Sequence, residues 1–158
     1  MSDAAHLDFM RRAIALSRAN ITQGGGPFGA VIVRGGEVVG EGANRVTASH
    51  DPTAHAEVVA IRDACKRLGT FSLDGCEIYT SCEPCPMCLS AIYWARLDRI
   101  WFANTKADAA AIDFDDHFIY DEFAKDPADR AIPMKGMLRD EALVAFRDWE
   151  SAPDRIPY

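Results

Sequence analysis

The chain lacks any long apolar run. Its longest uncharged apolar stretches, such as Phe28 to Val33 and Ala91 to Ala95, are a handful of residues, against the roughly 20 that a membrane-spanning helix needs. The segment from Met1 to Asn20 has no apolar h-region and is broken by Asp3, Asp8, Arg11, Arg12 and Arg18, so no secretory signal is expected. An excess of positive charge is missing too. Seventeen Lys and Arg stand against 24 Asp and Glu, a net charge of −7, which gives no global pull toward phosphate backbones or anionic membranes. Nothing repeats, and no low-complexity segment or linker interrupts the 158 residues. That length suits one domain with an ordinary core. Cysteine is scarce but concentrated: Cys65, Cys76, Cys82, Cys85 and Cys88, three of them within seven residues. An odd number in an expected cytoplasmic setting fits a metal site or a reactive thiol better than a disulfide framework.

What is present alternates between helical and extended patterns. Asp3 is placed to cap a first amphipathic helix carrying Phe9, Met10, Ala13, Ile14 and Leu16, and Gly24-Gly25-Gly26-Pro27 ends it. Phe28 to Val33 and Glu37 to Gly42 form a hairpin across Gly35-Gly36. Ala54 to Leu68 forms a second helix whose buried side is Val58, Val59, Ile61, Ala64, Cys65 and Leu68, with Gly69 as its C-terminal cap. Strands at Glu77 to Ser81 and Arg99 to Ala103 flank a helix from Pro86 to Arg96, an alternation that implies parallel pairing and helices over a central sheet. Lys106 to Asp129 reads as helical turns and loops. Ile132 to Leu138 reads as a last edge strand limited by Pro133 and Gly136. A final helix follows, capped by Asp140 and carrying Leu143, Phe146 and Trp149. The fold expected is a single three-layer α/β domain.

Two segments carry chemistry. In Pro84-Cys85-Pro86-Met87-Cys88, Pro86 suits the first position of a helix. That makes Cys85 the N-cap and Cys88 the third helical residue. Side chains at those two positions approach each other, and the positive end of the helix dipole favours thiolates there. His55-Ala56-Glu57 opens another helix after the Asp51-Pro52-Thr53 turn. Two thiolates and one imidazole leave one position of a tetrahedral zinc open, the mark of a catalytic site. Glu57, two residues beyond the histidine, lies near enough to carry protons without being a ligand. A lone histidine is more often satisfied or exposed, and a lone Cys-x-x-Cys can be redox-active or incidental. Cys82 extends the run toward an iron–sulfur spacing, yet no cysteine follows Cys88. Only the pair of segments together makes the zinc reading compelling.

These segments resemble the signature of the zinc-dependent cytidine-deaminase-like superfamily. The resemblance implies a mixed five-stranded sheet flanked by helices, with one zinc per subunit held by His55, Cys85 and Cys88 and with Glu57 as general acid/base. Gly25 to Val33, Thr80 to Cys88, Ala91 to Arg96, Phe114-Asp115-Asp116 and Tyr158 look most like the bacterial guanine deaminases in that superfamily. This implies hydrolytic deamination of guanine to xanthine and ammonia by zinc-activated hydroxide. On the same basis Asp116 would be a second catalytic carboxylate, Phe28 and Trp94 would be walls of the base pocket and Tyr158 would belong to the segment that closes it. Phe114 is a further aromatic candidate, though all three rings also suit a core. Asn44 after the second strand is placed to hydrogen-bond the base or simply to turn the chain, and Ala56 lies between His55 and Glu57. The resemblance also implies residues 1–158 as one deaminase domain, in which a tail over 150–158 closes an active site and is exchanged within a homodimer.

Three readings compete. A tRNA adenosine deaminase shares the zinc chemistry, but the segment from Phe146 to Arg155 mixes charges where phosphate contacts would want basic ones. A deaminase of another small aminopurine or nucleoside differs by as little as one pocket atom. A non-catalytic zinc module would need neither Glu57 nor an open ligand position.

Overall fold

A computed structural model describes residues 2–158. They fall into two compact units, one running up to Asp116 and the other His117–Tyr158. The first unit holds a sheet and its covering helices. Helix α1 (Asp3–Ile21) starts at Ser2, whose hydroxyl accepts from the Ala5 N–H at 3.4 Å. Ser2 is thus the cap instead of Asp3, which sits in the first turn and still complements the helix dipole.

The sheet has strand order β2-β1-β3-β4, with β1 Gly29–Arg34, β2 Glu37–Ala43, β3 Cys76–Cys82 and β4 Arg99–Asn104. Gly35 and Gly36, at φ 58° and 87°, make the tight β1–β2 turn that a left-handed backbone requires. β1 pairs antiparallel with both β2 and β3, and only β3–β4 is parallel. Helix alternation therefore predicts the last pair correctly and the β1–β3 pair wrongly. The hairpin puts β1 in the centre of the sheet, between its own partner and β3.

Among the described residues the sheet has four strands instead of the five expected. Ile132 to Leu138 is irregular: Pro133 has no N–H to give a ladder, and the Met134 N–H closes a turn onto the Pro127 carbonyl at 3.0 Å.

Alternation along β1 splits the core in two. Val31 and Val33 face Ala13, Phe9 and Leu16 of α1, with Tyr79 of β3. Ala30 and Ile32 face the other layer, with Ile78. That layer is α3 (Ala56–Leu68) and α4 (Pro86–Trp94), preceded by the short α2 (Val46–Ser49). The buried seam of α3 is Ala56, Ala60 and Ala64, while Ile61, Cys65 and Leu68 only flank it. The larger residues expected on that seam are displaced because α3 lies directly on β2. A Cβ at Gly42 would come within 2.2 Å of the Ala56 carbonyl and 2.5 Å of the Ala60 nitrogen. Gly42→Ala is therefore expected to cost about 1–3 kcal/mol by overpacking. Gly136→Ala, where a Cβ meets nothing within 4 Å, should cost close to nothing; equal denaturation midpoints for the two variants would refute this packing account.

Helix α5 (Lys106–Ala110) carries a capping box between Thr105 and Asp108. The second unit contains α6 (His117–Ala124), a short 3-10 turn at Pro127–Asp129 and α7 (Arg139–Ser151), which starts after Leu138 in a left-handed conformation. Asp140 lies in its first turn and Leu138 at its cap position. Among the described residues no helix is long and apolar enough to cross a membrane.

Candidate zinc centre

The local rules place both halves of the site at helix amino termini. Cys85 is the N-cap of α4 with Pro86 at the first turn, so Cys88 falls at the third helical position, as the spacing predicts. His55 is the N-cap of α3, in extended backbone with no side-chain capping bond, so its ring is available for another task. The turn before it is fixed by Asp51, whose carboxylate accepts from the Thr53 N–H at 2.8 Å and the Thr53 hydroxyl at 2.6 Å. Arg62 adds a 3.4 Å ion pair to Asp51. Because β3–β4 is parallel, α4 crosses the same face of the sheet as α3. Two amino termini 30 residues apart in sequence thereby converge.

His55 Nδ1 lies 3.6 Å from Cys85 Sγ and 3.5 Å from Cys88 Sγ. One donor atom from each residue falls within 4.8 Å of the others, and this is the one such cluster found among the described residues. An imidazole and two sulfurs at helix N-termini are a zinc donor set by chemistry as well as by spacing. The electrostatics agree. Contact with the Cys88 thiol, helped by His55, brings the Cys85 thiol down to about 4. Hydrogen bonding to Cys85 and burial push Cys88 up. Without a metal the sulfur pair thus holds one shared proton. Pairing with Cys85 outweighs burial and raises His55.

Glu57 is 8% exposed. Burial pushes its carboxyl above the usual range, and the Cys85 charge adds to the effect, while its side chain also bonds Cys88. A carboxyl taken out of water beside the donor atoms is poised to hold a proton. Asp116 is half-buried at the end of the same unit; burial first, then the Cys85 charge, raises it as well.

The remaining sequence candidates separate into groups. Phe28 and Phe114 meet edge-to-face with centroids 4.9 Å apart. Asn44 is buried, its Oδ1 accepting from the Val46 N–H at 3.2 Å. Ala56 is 1% exposed beneath the site. Trp94 is 63% exposed, with the Arg96 guanidinium 5.8 Å from its ring centre. It belongs to the surface and not to the core. Tyr158 belongs to the second unit and is exposed. Cys82 sits away from the donor cluster, its thiol 3.6 Å from the Thr105 carbonyl and pushed up to about 11 by burial. It is a packed thiol. Cys65 and Cys76 are also unpaired, and burial raises both. Sequence reasoning missed Asn20, a buried amide joining the glycine loop to Asn44. Its only local signal is an Asn closing a helix before three glycines.

The sheet, its two helix layers and the His–Cys–Cys cluster define a zinc-dependent deaminase. Residues 3–104 match the family described as the cytidine and deoxycytidylate deaminase zinc-binding region, and the chain belongs to that family. Among particular relatives, it is 51% identical over 154 residues to guanine deaminase of Bacillus subtilis (strain 168), covering 97% of this chain and 99% of that one. The X-ray structure of guanine deaminase from Bacillus subtilis superimposes with a TM-score of 0.94, covering 97% of this chain and 98% of the other. A guanine deaminase structure from Nitrosomonas europaea is 32% identical with a TM-score of 0.65, over 91% and 84% of the two chains. A tRNA-specific adenosine deaminase of Aquifex aeolicus is 41% identical over 95 residues, 60% of this chain and 63% of that protein.

Proposed function

We propose that the protein hydrolyses guanine to xanthine and ammonia, with His55, Cys85 and Cys88 holding one zinc ion per subunit. The observation that carries this reading is the buried Glu57 carboxyl, bonded to Cys88 beside the His55–Cys85–Cys88 cluster. Likeness to a guanine deaminase at 51% identity over 97% of the chain, against 41% over 60% for one tRNA deaminase and 36% over 72% for another, supports the choice of substrate. Bound zinc supplies the Lewis acidity that makes water a nucleophile at neutral pH.

The chain's own groups do the rest. Glu57 takes one proton from the attacking water and delivers it to ring N3. It then carries the proton of the oxygen added at C2 to the amine as the C2–N bond breaks and ammonia leaves, a role that suits a carboxyl raised by burial. Asp116 accepts or relays a second proton from the guanine edge. Phe28 and Phe114 supply an aromatic corner for a flat base. The Asn44 amide hydrogens hydrogen-bond the purine, since its oxygen is already engaged. Ala56 lines the floor, and Trp94 and Tyr158 close the site from outside. Asp116→Asn should depress guanine turnover about 100-fold with zinc content unchanged; equal activity removes Asp116 from the chemistry.

The chain acts as one deaminase domain whose tail over 150–158 covers an active site, exchanged with a second copy in a homodimer. Helices α6 and α7 support this, since neither holds a buried residue. Phe118, Phe146 and Trp149 are 61%, 74% and 48% exposed in the single chain, apolar rings that a second copy would cover. Thiol ligands that must stay reduced fit a cytoplasmic location.

The test is a substrate panel on zinc-loaded protein: guanine, guanosine, adenine, cytosine, cytidine and tRNA, followed by ammonia release. Guanine is the expected substrate. Turnover of tRNA in its place would overturn the proposal, and the net charge of −7 argues against that outcome.

A further inference from the structure

Asn20 takes no part in the chemistry described above, yet it is among the most buried polar residues of the chain. It lies in the last turn of α1 and is 2% exposed. Its side-chain nitrogen donates to two carbonyls, those of Gly26 and Asn44, each at 2.8 Å. Its own backbone carbonyl accepts from the Gln23 and Gly25 N–H groups, both at 3.0 Å. The circuit closes through the candidate base-binding residues. The Phe28 N–H donates to the Gly26 carbonyl at 2.8 Å, and the Asn44 N–H donates to the Phe28 carbonyl at 3.1 Å. A single amide therefore ties Gly26, Phe28 and Asn44 into one ring of hydrogen bonds.

Two details separate this knot from an ordinary loop closure. The Asn20 Oδ1 is buried with no hydrogen-bond partner among the described residues. Exchanging the amide's two ends would set that oxygen against two carbonyls, so the orientation is fixed and the orphan acceptor comes with it. An unsatisfied buried acceptor costs free energy, and such local costs concentrate where geometry serves function. The glycine run also acquires a reason beyond turn formation. A Cβ at Gly25 would come within 2.2 Å of the Asn20 nitrogen and 2.7 Å of the Asn44 carbonyl, so only glycine leaves space for the amide. At Gly26 the neighbours of a Cβ would be the Phe28 ring at 3.3 Å and Asn44 Cγ at 3.5 Å.

We infer that Asn20 is a positioning residue for purine binding, its buried amide holding the Phe28 ring and the Asn44 side chain at a fixed separation. The inference rests on the guanine pocket proposed above. Asn20 has no bond to the zinc donors or to Glu57, so loosening the knot should weaken binding of substrate and transition state alike. That pattern raises KM and leaves kcat nearly unchanged.

Steady-state guanine kinetics on zinc-loaded Asn20→Ala and Gly25→Ala, with zinc content, melting temperature and xanthine binding by calorimetry, test it. Asn20→Ala removes the amide, while Gly25→Ala displaces it with Asn20 intact, so the second variant decides if the first does not fold. The expected result is a KM raised about 10-fold or more, xanthine binding weakened in parallel, kcat within about 3-fold and zinc retained. An unchanged KM with a lowered melting temperature would mean a merely structural staple and overturn the inference; so would kcat, KM and zinc content failing together. Asn44→Ala separates the two levels. If it raises KM while the Asn20 and Gly25 variants do not, only the positioning role falls. If Asn44→Ala also leaves KM unchanged, the pocket assignment is wrong and the inference falls with it.

Discussion

Glu57→Gln is expected to keep its zinc and lose guanine turnover by about 100- to 10,000-fold, the range spanned by positioned general acid–base groups. Gln has nearly the volume of Glu and can hydrogen-bond Cys88 in its place, so packing at this 8%-exposed position changes little. What it cannot do is exchange a proton. The same substitution should move stability the other way. Burial raises the Glu57 carboxyl in the folded metal-free chain, so the unfolded chain ionises first as pH rises. Ionised Glu57 then weakens the fold, from the ordinary carboxyl value upward through the raised one. Gln does not titrate. Metal-free Glu57→Gln should therefore match the parent at acid pH and exceed it near neutrality, in denaturant unfolding followed against pH. A residue that harms stability where the protein works is kept for chemistry. Undiminished turnover in this variant would transfer the proton-carrying role to another carboxyl, Asp116 first.

Local order in the site was readable from single residues. Pro86 at the first helical position places Cys85 at the cap and Cys88 three residues on, and the structure has them there. Gly35-Gly36 marks the hairpin and Gly69 the left-handed end of α3 for equally local reasons. The signals that misled were those decided by distant partners. The buried seam of α3 is alanine because Gly40 and Gly42, on another element, bring β2 against the helix backbone. Hydrophobicity within the helix favours Val58 and Val59 instead, and both end only half-buried. Ile132 to Leu138 has strand-forming residues but no strand to pair with, and Pro133 denies it part of a ladder. Asn20 gives no periodic or motif signal, because its role depends on Asn44, 24 residues away. The zinc cluster itself lies between these cases. Each half is local, but their meeting depends on the parallel β3–β4 pair that returns α4 to the α3 side.

Chelation of the zinc should abolish guanine turnover while leaving the chain folded, and it should be easier at acid pH. The first half follows from where the core lies. The apolar clusters on the two faces of the sheet are built from α1, α3, α4 and the strands, and none of His55, Cys85 and Cys88 belongs to them. Circular dichroism should thus survive metal removal, with a melting temperature lowered only by the lost binding energy. Wholesale unfolding on chelation would instead mark a structural zinc module and count against catalysis. The second half follows from the protons. In the metal-free chain near neutrality Cys85 is already a thiolate, with its thiol at about 4. Hydrogen bonding to Cys85 and burial raise Cys88, which keeps its proton, and hydrogen bonding to Cys85 raises His55. Zinc needs two thiolates and a neutral imidazole, so binding expels the Cys88 proton and any proton that the raised His55 holds. Apparent affinity should then climb about 10- to 100-fold per pH unit between about pH 6 and 8. Competition with a zinc chelator across that range measures the slope. Calorimetry in buffers of differing ionisation enthalpy counts the protons directly. A flat profile would mean that the two sulfurs are already ionised without metal, against the hydrogen-bonded thiol–thiolate pair that Cys85 and Cys88 form here.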